Sequence, residues 1–219
     1  MRERVWTTLE REGVARFPGA SGRIPNFKGA ELAAERLAGE PAWRTARVVK
    51  ANPDAPQLPA RRRALAEGKT VYMAVPRLRE EKPFFRLRDD ATVKARGATA
   101  VAVGALEPVE LILCGTVAVN REGVRLGKGG GYSDLELGLL VEAGLVGAGT
   151  VVATTVHPLQ VVDEELPETE HDFRVDLVVT PDETIVTGAR KRSPGIVWDD
   201  LDEERIKAIP ALAALAARR

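Results

Sequence analysis

The chain has 219 residues, 44% hydrophobic and 29% charged, a composition that suits a single domain over 1–219 and excludes a disordered chain. Lys+Arg and Asp+Glu both number 32, giving zero formal net charge, and aromatics reach only 5%; nucleic acid is therefore not the expected partner, since both a basic excess and a stacking platform are missing. The single cysteine, Cys114, excludes an intrachain disulfide and a multi-cysteine metal site and makes a reducing cytoplasm the expected location. In chain order, residues 2–12 read as a helix stopped by Gly13, followed by a loop to Asn26. Residues 29–39 read as a helix with Leu32, Ala33 and Leu37 on its apolar stripe. Residues 45–51 read as a strand, 52–56 as a Pro-fixed turn around Asp54, 58–67 as a helix and 70–75 as a second strand. The charged stretch 77–96 reads as an irregular or hairpin excursion, and 98–103 and 110–119 as strands. A glycine-rich stretch, 120–135, leads into a helix over 134–143. Strands follow at 151–156, 173–180 and 183–186, and the tail 202–219 is a helical pattern interrupted by Pro210.

Strands alternating with helices predict an α/β fold, with a mixed or mainly parallel sheet and helices on both faces. Residues 143–162 carry no charge over 20 positions, long enough to cross a bilayer. Their three glycines, three threonines, His157, Pro158 and Gln160 would sit unpaired in hydrocarbon, so no membrane span is expected.

The strongest chemical signal runs from Arg125 through Leu126, Gly127, Lys128, Gly129, Gly130, Gly131, Tyr132 and Ser133 to Asp134. Four glycines in five positions let the backbone turn several N–H groups inward, and the helix that follows adds its positive end. Arg125 and Lys128 suit phosphate oxygens. Ser133 and Glu136 have capping-box spacing. The stretch fits neither G-x-x-x-x-G-K-[ST] nor G-x-G-x-x-G, so the same residues also suit a tight turn that binds nothing. Asp134 and Asp172 are candidate Mg²⁺ ligands, because Mg²⁺ takes one or two carboxylates plus phosphate oxygens; equally, Asp134 suits the helix dipole and Asp172, which with Asp176 flanks a strand, suits a turn. Cys114 reads first as a buried structural thiol, with a Cys–His nucleophilic site with His157 or His171 as the lesser alternative. The basic runs 61–63 and 190–192 read as solvated faces.

At the glycine loop the sequence resembles the 5-formyltetrahydrofolate cyclo-ligase (methenyltetrahydrofolate synthetase) family, which carries R-L-G-x-G-x-G-Y-Y-D-R after a strand ending in A-F-D. Here these stand as residues 125–135 after Asn120. The late acidic turn of the family stands as 166–172, ending in His171 and Asp172, and Arg2 matches the Arg of its early K-x-x-L-R. Residues 2–6, 23–28, 127–136 and 195–198 resemble the methenyltetrahydrofolate synthetase domain-containing branch. The resemblance implies the sheet type shared with glucosamine-phosphate deaminases and ribose-phosphate isomerases. It also implies a reaction in which ATP phosphorylates the formyl oxygen of 5-formyltetrahydrofolate, N10 attacks the activated carbon, and phosphate leaves to give 5,10-methenyltetrahydrofolate and ADP. On that resemblance, Arg125 and Lys128 are the catalytic cations. ATP lies on Arg2 and residues 125–132, a folate-like substrate on Arg2 and Asp54, and Mg²⁺ on Asp134 and Asp172. The family's Asp, second Tyr and Arg are replaced by Asn120, Ser133 and Leu135. The expectation is therefore retained ATP binding with slow cyclisation. A nucleotide- or folate-binding paralogue without cyclisation activity is the alternative, and a sugar-phosphate enzyme on a related fold the third reading.

Overall fold

The computed structural model describes residues 1–189 and 191–219. Eleven strands form two sheets among the described residues. They are β1 (Val48–Ala51), β2 (Thr70–Ala74), β3 (Phe84–Arg86), β4 (Thr99–Val101), β5 (Leu111–Cys114), β6 (Ala118–Asn120), β7 (Arg125–Leu126), β8 (Val151–Thr155), β9 (Val161–Val162), β10 (Leu177–Val179) and β11 (Thr184–Val186). The main sheet has eight strands in the order β11-β10-β8-β5-β1-β2-β3-β4. Its centre, β10-β8-β5-β1-β2, is parallel, while β11 at one edge and β3 at the other run against it, and β4 pairs antiparallel with β3. The smaller sheet, β7-β6-β9, stands beside it.

The helices are α1 (Arg2–Arg11), α2 (Ala30–Gly39), α3 (Pro41–Thr45), α4 (Leu58–Ala66), α5 (Tyr132–Glu142), α6 (Glu203–Ala208) and α7 (Pro210–Ala216). Strand alternation divides the core. Val49, Ala51, Val71, Met73, Leu111 and Leu113 pack with Ala34, Leu37, Ala60 and Ala64 of α2 and α4. Val48, Tyr72, Ile112 and Cys114 pack on the other face with Leu135, Leu137 and Leu139 of α5 and with Ile209 and Leu212 of the tail. Period two puts successive side chains on opposite faces, and a parallel sheet covered on both sides needs apolar residues at every position. α1 lies on the smaller sheet through Val5, Trp6 and Leu9. The α/β architecture with helices on both faces is thus as the sequence predicts.

Several local expectations are corrected. Residues 41–45 form α3, begun by Pro41 at its first position, so β1 starts only at Val48. The apolar run 110–119 is two strands in different sheets, β5 and β6; both are buried throughout, which hides the break from any periodicity argument. Leu32 is exposed, because the buried face of α2 is set by Ala30, Ala33, Ala34 and Leu37. The run 143–162 holds β8 and β9, and no helix of the described residues is long and apolar enough to cross a membrane. Arg61 is not on a solvated face but 2% exposed in the core. In the second basic run Arg192 pairs with Asp176 at 2.7 Å, while Arg190 lies outside the described residues. Cys114 is buried with Sγ 3.5 Å from the Ala153 carbonyl, and burial pushes its thiol up from the ordinary range, as befits an inert core residue.

Candidate functional site

A cavity of about 1120 Å³ opens at the carboxyl ends of β1 and β2, where ligands of open α/β sheets gather. Its wall includes Arg2 of α1, Asn52 and Asp54 after β1, the glycine loop, the first turns of α5, and residues 195–205 of the tail. The candidate ATP, substrate and metal residues line it together: Arg2, Asp54, Arg125, Leu126, Gly127, Lys128, Gly129, Gly130, Gly131, Tyr132, Asp134 and Asp172; Asp176 does not, and pairs with Arg192.

The loop has the backbone its glycines permit. Gly129 and Gly131 sit at φ +99° and +65°, a region that side-chain-bearing residues rarely adopt. Gly131 is the N-cap of α5, so the helix starts two residues earlier than the sequence suggests. No side chain caps it, and none of the N–H groups of residues 128–134 finds an acceptor among the described residues. The capping box expected from Ser133 and Glu136 is absent: both lie inside the first turns, and their side chains are committed elsewhere. Arg2 Nε donates to the Gly127 carbonyl at 2.6 Å and Arg205 Nη2 donates to that of Gly130. Two carbonyls that would repel an anion are thereby tied up, leaving the loop's donors to dominate its potential. Among the described residues no carboxylate lies within 4 Å of the cationic groups of Arg2, Lys128 or Arg205.

Arg125 differs from its neighbours. It belongs to β7, its side chain is only 4% exposed, it pairs with Asp134 at 3.0 Å, and its guanidinium lies 4.4 Å above the Phe173 ring. Its charge fixes the Asp134 carboxylate, whose second oxygen is left for another partner. Asp172 Oδ2 accepts from the Thr169 N–H at 2.7 Å and its hydroxyl at 2.8 Å. No three-residue cluster of His, Cys, Asp and Glu among the described residues forms a metal cage. Two separately anchored carboxylates on one cavity fit Mg²⁺ carried with phosphate, and do not fit a metal held by protein alone. Burial pushes the Asp54 carboxyl above its ordinary range, against the pull of Lys128, Arg61 and Lys50.

Sequence reasoning missed the polar floor beneath the loop. Lys50 and Glu136 form an ion pair whose side chains are 2% and 6% exposed. Lys50 Nζ also donates to Asn52 Oδ1 at 2.9 Å, and Asn52 Nδ2 donates to Ser133 Oγ at 2.8 Å. The chain of contacts bolts the end of β1 to the start of α5, and burial raises the Glu136 carboxyl while Lys50 opposes it. Arg61 was missed too. From α4 it donates to the carbonyls of Asn52, Pro53, Asp54 and Ala91, which shapes the turn carrying Asp54. Asn120 is buried, with Oδ1 accepting from the Val124 N–H at 2.9 Å; it closes the turn before β7.

Residues 2–181 match the 5-formyltetrahydrofolate cyclo-ligase family. The chain belongs to this family. Methenyltetrahydrofolate synthase domain-containing proteins of mouse and human are 42% and 38% identical over 236 residues, the whole of this chain and 63% and 61% of theirs. The chain thus spans about three fifths of the length of the curated relatives it matches. The NMR structure of Aquifex aeolicus 5,10-methenyltetrahydrofolate synthetase superposes with a TM-score of 0.58 over 91% of this chain and 97% of that one, at 22% identity, so the shared fold is that of the cyclo-ligase family. Residues 182–219, including the tail on the cavity, lie beyond the family match.

Proposed function

We propose that the protein is an ATP- and Mg²⁺-dependent cyclo-ligase that converts 5-formyltetrahydrofolate to 5,10-methenyltetrahydrofolate. The observation that carries the reading is the glycine loop, with N–H donors and cations that face no carboxylate among the described residues, on a cavity of about 1120 Å³. That volume exceeds the roughly 300–1,000 Å³ of an ordinary ligand pocket and has room for two ligands side by side. The phosphates of ATP take the loop N–H groups, the amino end of α5, Lys128 and Arg2. Asp134, steadied by Arg125, and Asp172 would hold Mg²⁺ together with phosphate oxygens, and the ion when bound would supply neutralisation of phosphate charge. The folate lies toward Asp54, whose carboxylate accepts from ring N–H groups.

The reaction asks for positioning more than for a side-chain nucleophile. The formyl oxygen attacks the γ-phosphorus and ADP leaves. N10 then attacks the activated carbon, which closes the ring, and loss of the N10 proton and of phosphate gives the methenyl product. Lys128 follows the charge on the transferred phosphoryl group, and the rigid Lys50–Glu136 floor keeps the loop in register with the folate side.

One observation favours the second reading, a paralogue that binds both ligands without joining them. Ser133 and Leu135 both line the cavity, and neither supplies the phenol or guanidinium that the family motif has there. Calorimetric titration with Mg-ATP, with 5-formyltetrahydrofolate, and with one in the presence of the other tests the site. Both ligands should bind at once. Failure of Mg-ATP to bind, or mutual exclusion, overturns the two-ligand site.

A further inference from the structure

Arg205 of α6 comes from the tail, beyond residues 2–181 of the family match, yet it lines the same cavity as Lys128 and Arg2. Its Nη2 holds the Gly130 carbonyl and its guanidinium lies 5.3 Å from the centre of the Tyr132 ring. Of the five N–H donors on an arginine, that single contact uses one; Nε is enclosed and has no partner among the described residues. A cation that is half withdrawn from water, without a carboxylate and with an orphaned donor, is incomplete in the free protein.

The segment that carries it is firmly seated. Gly195 and Ile196 pack so closely on α5 that a Cβ at Gly138 would stand 2.6 Å from Ile196 Cδ1 and 2.8 Å from the Gly195 carbonyl. His171 Nδ1 lies 2.6 Å from Asp200 Oδ2. On the far side of Arg205, Ile209 and Leu212 are buried in the main core. Arg205 is therefore held at the loop by anchors on both sides and not by its own contacts alone.

We propose that Arg205 is a phosphate-binding residue of the nucleotide site, supplied by the C-terminal tail, so that residues 195–205 are an integral wall of that site. The inference rests on the nucleotide reading above. A planar guanidinium resting on Tyr132 presents its remaining edge to a phosphate oxygen, while the carbonyl it holds keeps the loop from repelling the same anion.

Calorimetry on the unmodified full chain, on Arg205→Ala and on Arg205→Lys, each titrated with Mg-ATP, Mg-ADP and adenosine, tests it. Arg205→Ala should weaken Mg-ATP by about 10- to 100-fold, as expected for charged hydrogen bonds, and adenosine by less than about 3-fold. Arg205→Lys keeps the charge but loses the fork, and should fall between the two. Equal losses for adenosine and Mg-ATP would make Arg205 a clamp on the loop only, and unchanged Mg-ATP affinity would remove it from the site; either overturns the inference while leaving the nucleotide reading intact. An unmodified protein that binds none of the three overturns the nucleotide reading and this inference with it.

Discussion

Removing Lys50 tests the floor of the site most sharply. Lys50→Met keeps the length of the side chain and leaves Glu136 in a pocket where its side chain is 6% exposed, with its cation gone and Asn52 Oδ1 also unpaired. Deleting one partner of a buried pair costs about 3–5 kcal/mol. In a chain of this size each kcal/mol moves the melting temperature by roughly 2–4 °C, so the variant should melt about 6–20 °C lower. The loss should ease in acid, because Glu136, already raised by burial, takes up a proton once Lys50 is absent. Lys50→Met combined with Glu136→Leu removes both charges and should return to within about 1–2 kcal/mol of the parent, since isosteric apolar replacement of a buried pair is often neutral. Urea denaturation followed by circular dichroism, run as a double-mutant cycle at neutral and acid pH, reads all of this. A single variant that loses less than about 1 kcal/mol, or a double variant that loses the sum of the two singles, would refute a tightly coupled pair.

Three further outcomes follow from the same geometry. Gly129→Val forces a β-branched residue to φ +99° and should weaken Mg-ATP at least about tenfold while the far-UV spectrum is unchanged; wild-type affinity in a titration would take the loop out of the site. Leu135→Arg buries a charge at a position 8% exposed and should cost about 2–4 kcal/mol in urea denaturation without speeding cyclisation, so an active, stable variant would contradict the packing described. The folded-state pKa of Asp54 lies above its ordinary value, so the folded protein keeps this proton longer than the unfolded chain and stability falls as pH rises through the interval between the two. Asp54→Asn should therefore raise the melting temperature at pH 7, with the gain fading as pH falls below the ordinary carboxylate range, and it should weaken 5-formyltetrahydrofolate in a titration; a destabilised variant at pH 7 would contradict the assignment of burial as the cause.

What the sequence made legible follows from what local pattern can carry. The glycine loop was readable because its shape depends on backbone freedom, which composition reports directly, and residues 125–132 do share one cavity with Arg2 and Asp54. The alternation of strands and helices was readable because each element has its own period. The Lys50–Glu136 pair was not, since it joins positions 86 apart, and Glu136 had a sufficient local explanation as a capping residue. A signal was present: a lysine inside the strand Val48–Ala51, whose neighbours on both faces are buried, has nowhere to put its charge without a partner. Arg61 left a similar trace, because it stands three positions before Ala64 on the helix, beside the small apolar residues that face the core. Arg205 left none; only the docking of the tail on α5 brings it to the loop.

The account turns on whether the two ligands react. The most direct measurement is the absorbance of methenyltetrahydrofolate formed from 5-formyltetrahydrofolate and Mg-ATP by the unmodified protein, with ADP quantified in the same reaction. Slow, saturable formation of product is expected, with one ADP for each methenyltetrahydrofolate and none without Mg-ATP. Bound ATP and bound folate with no methenyltetrahydrofolate over many hours would contradict it and leave a protein that holds both ligands without joining them.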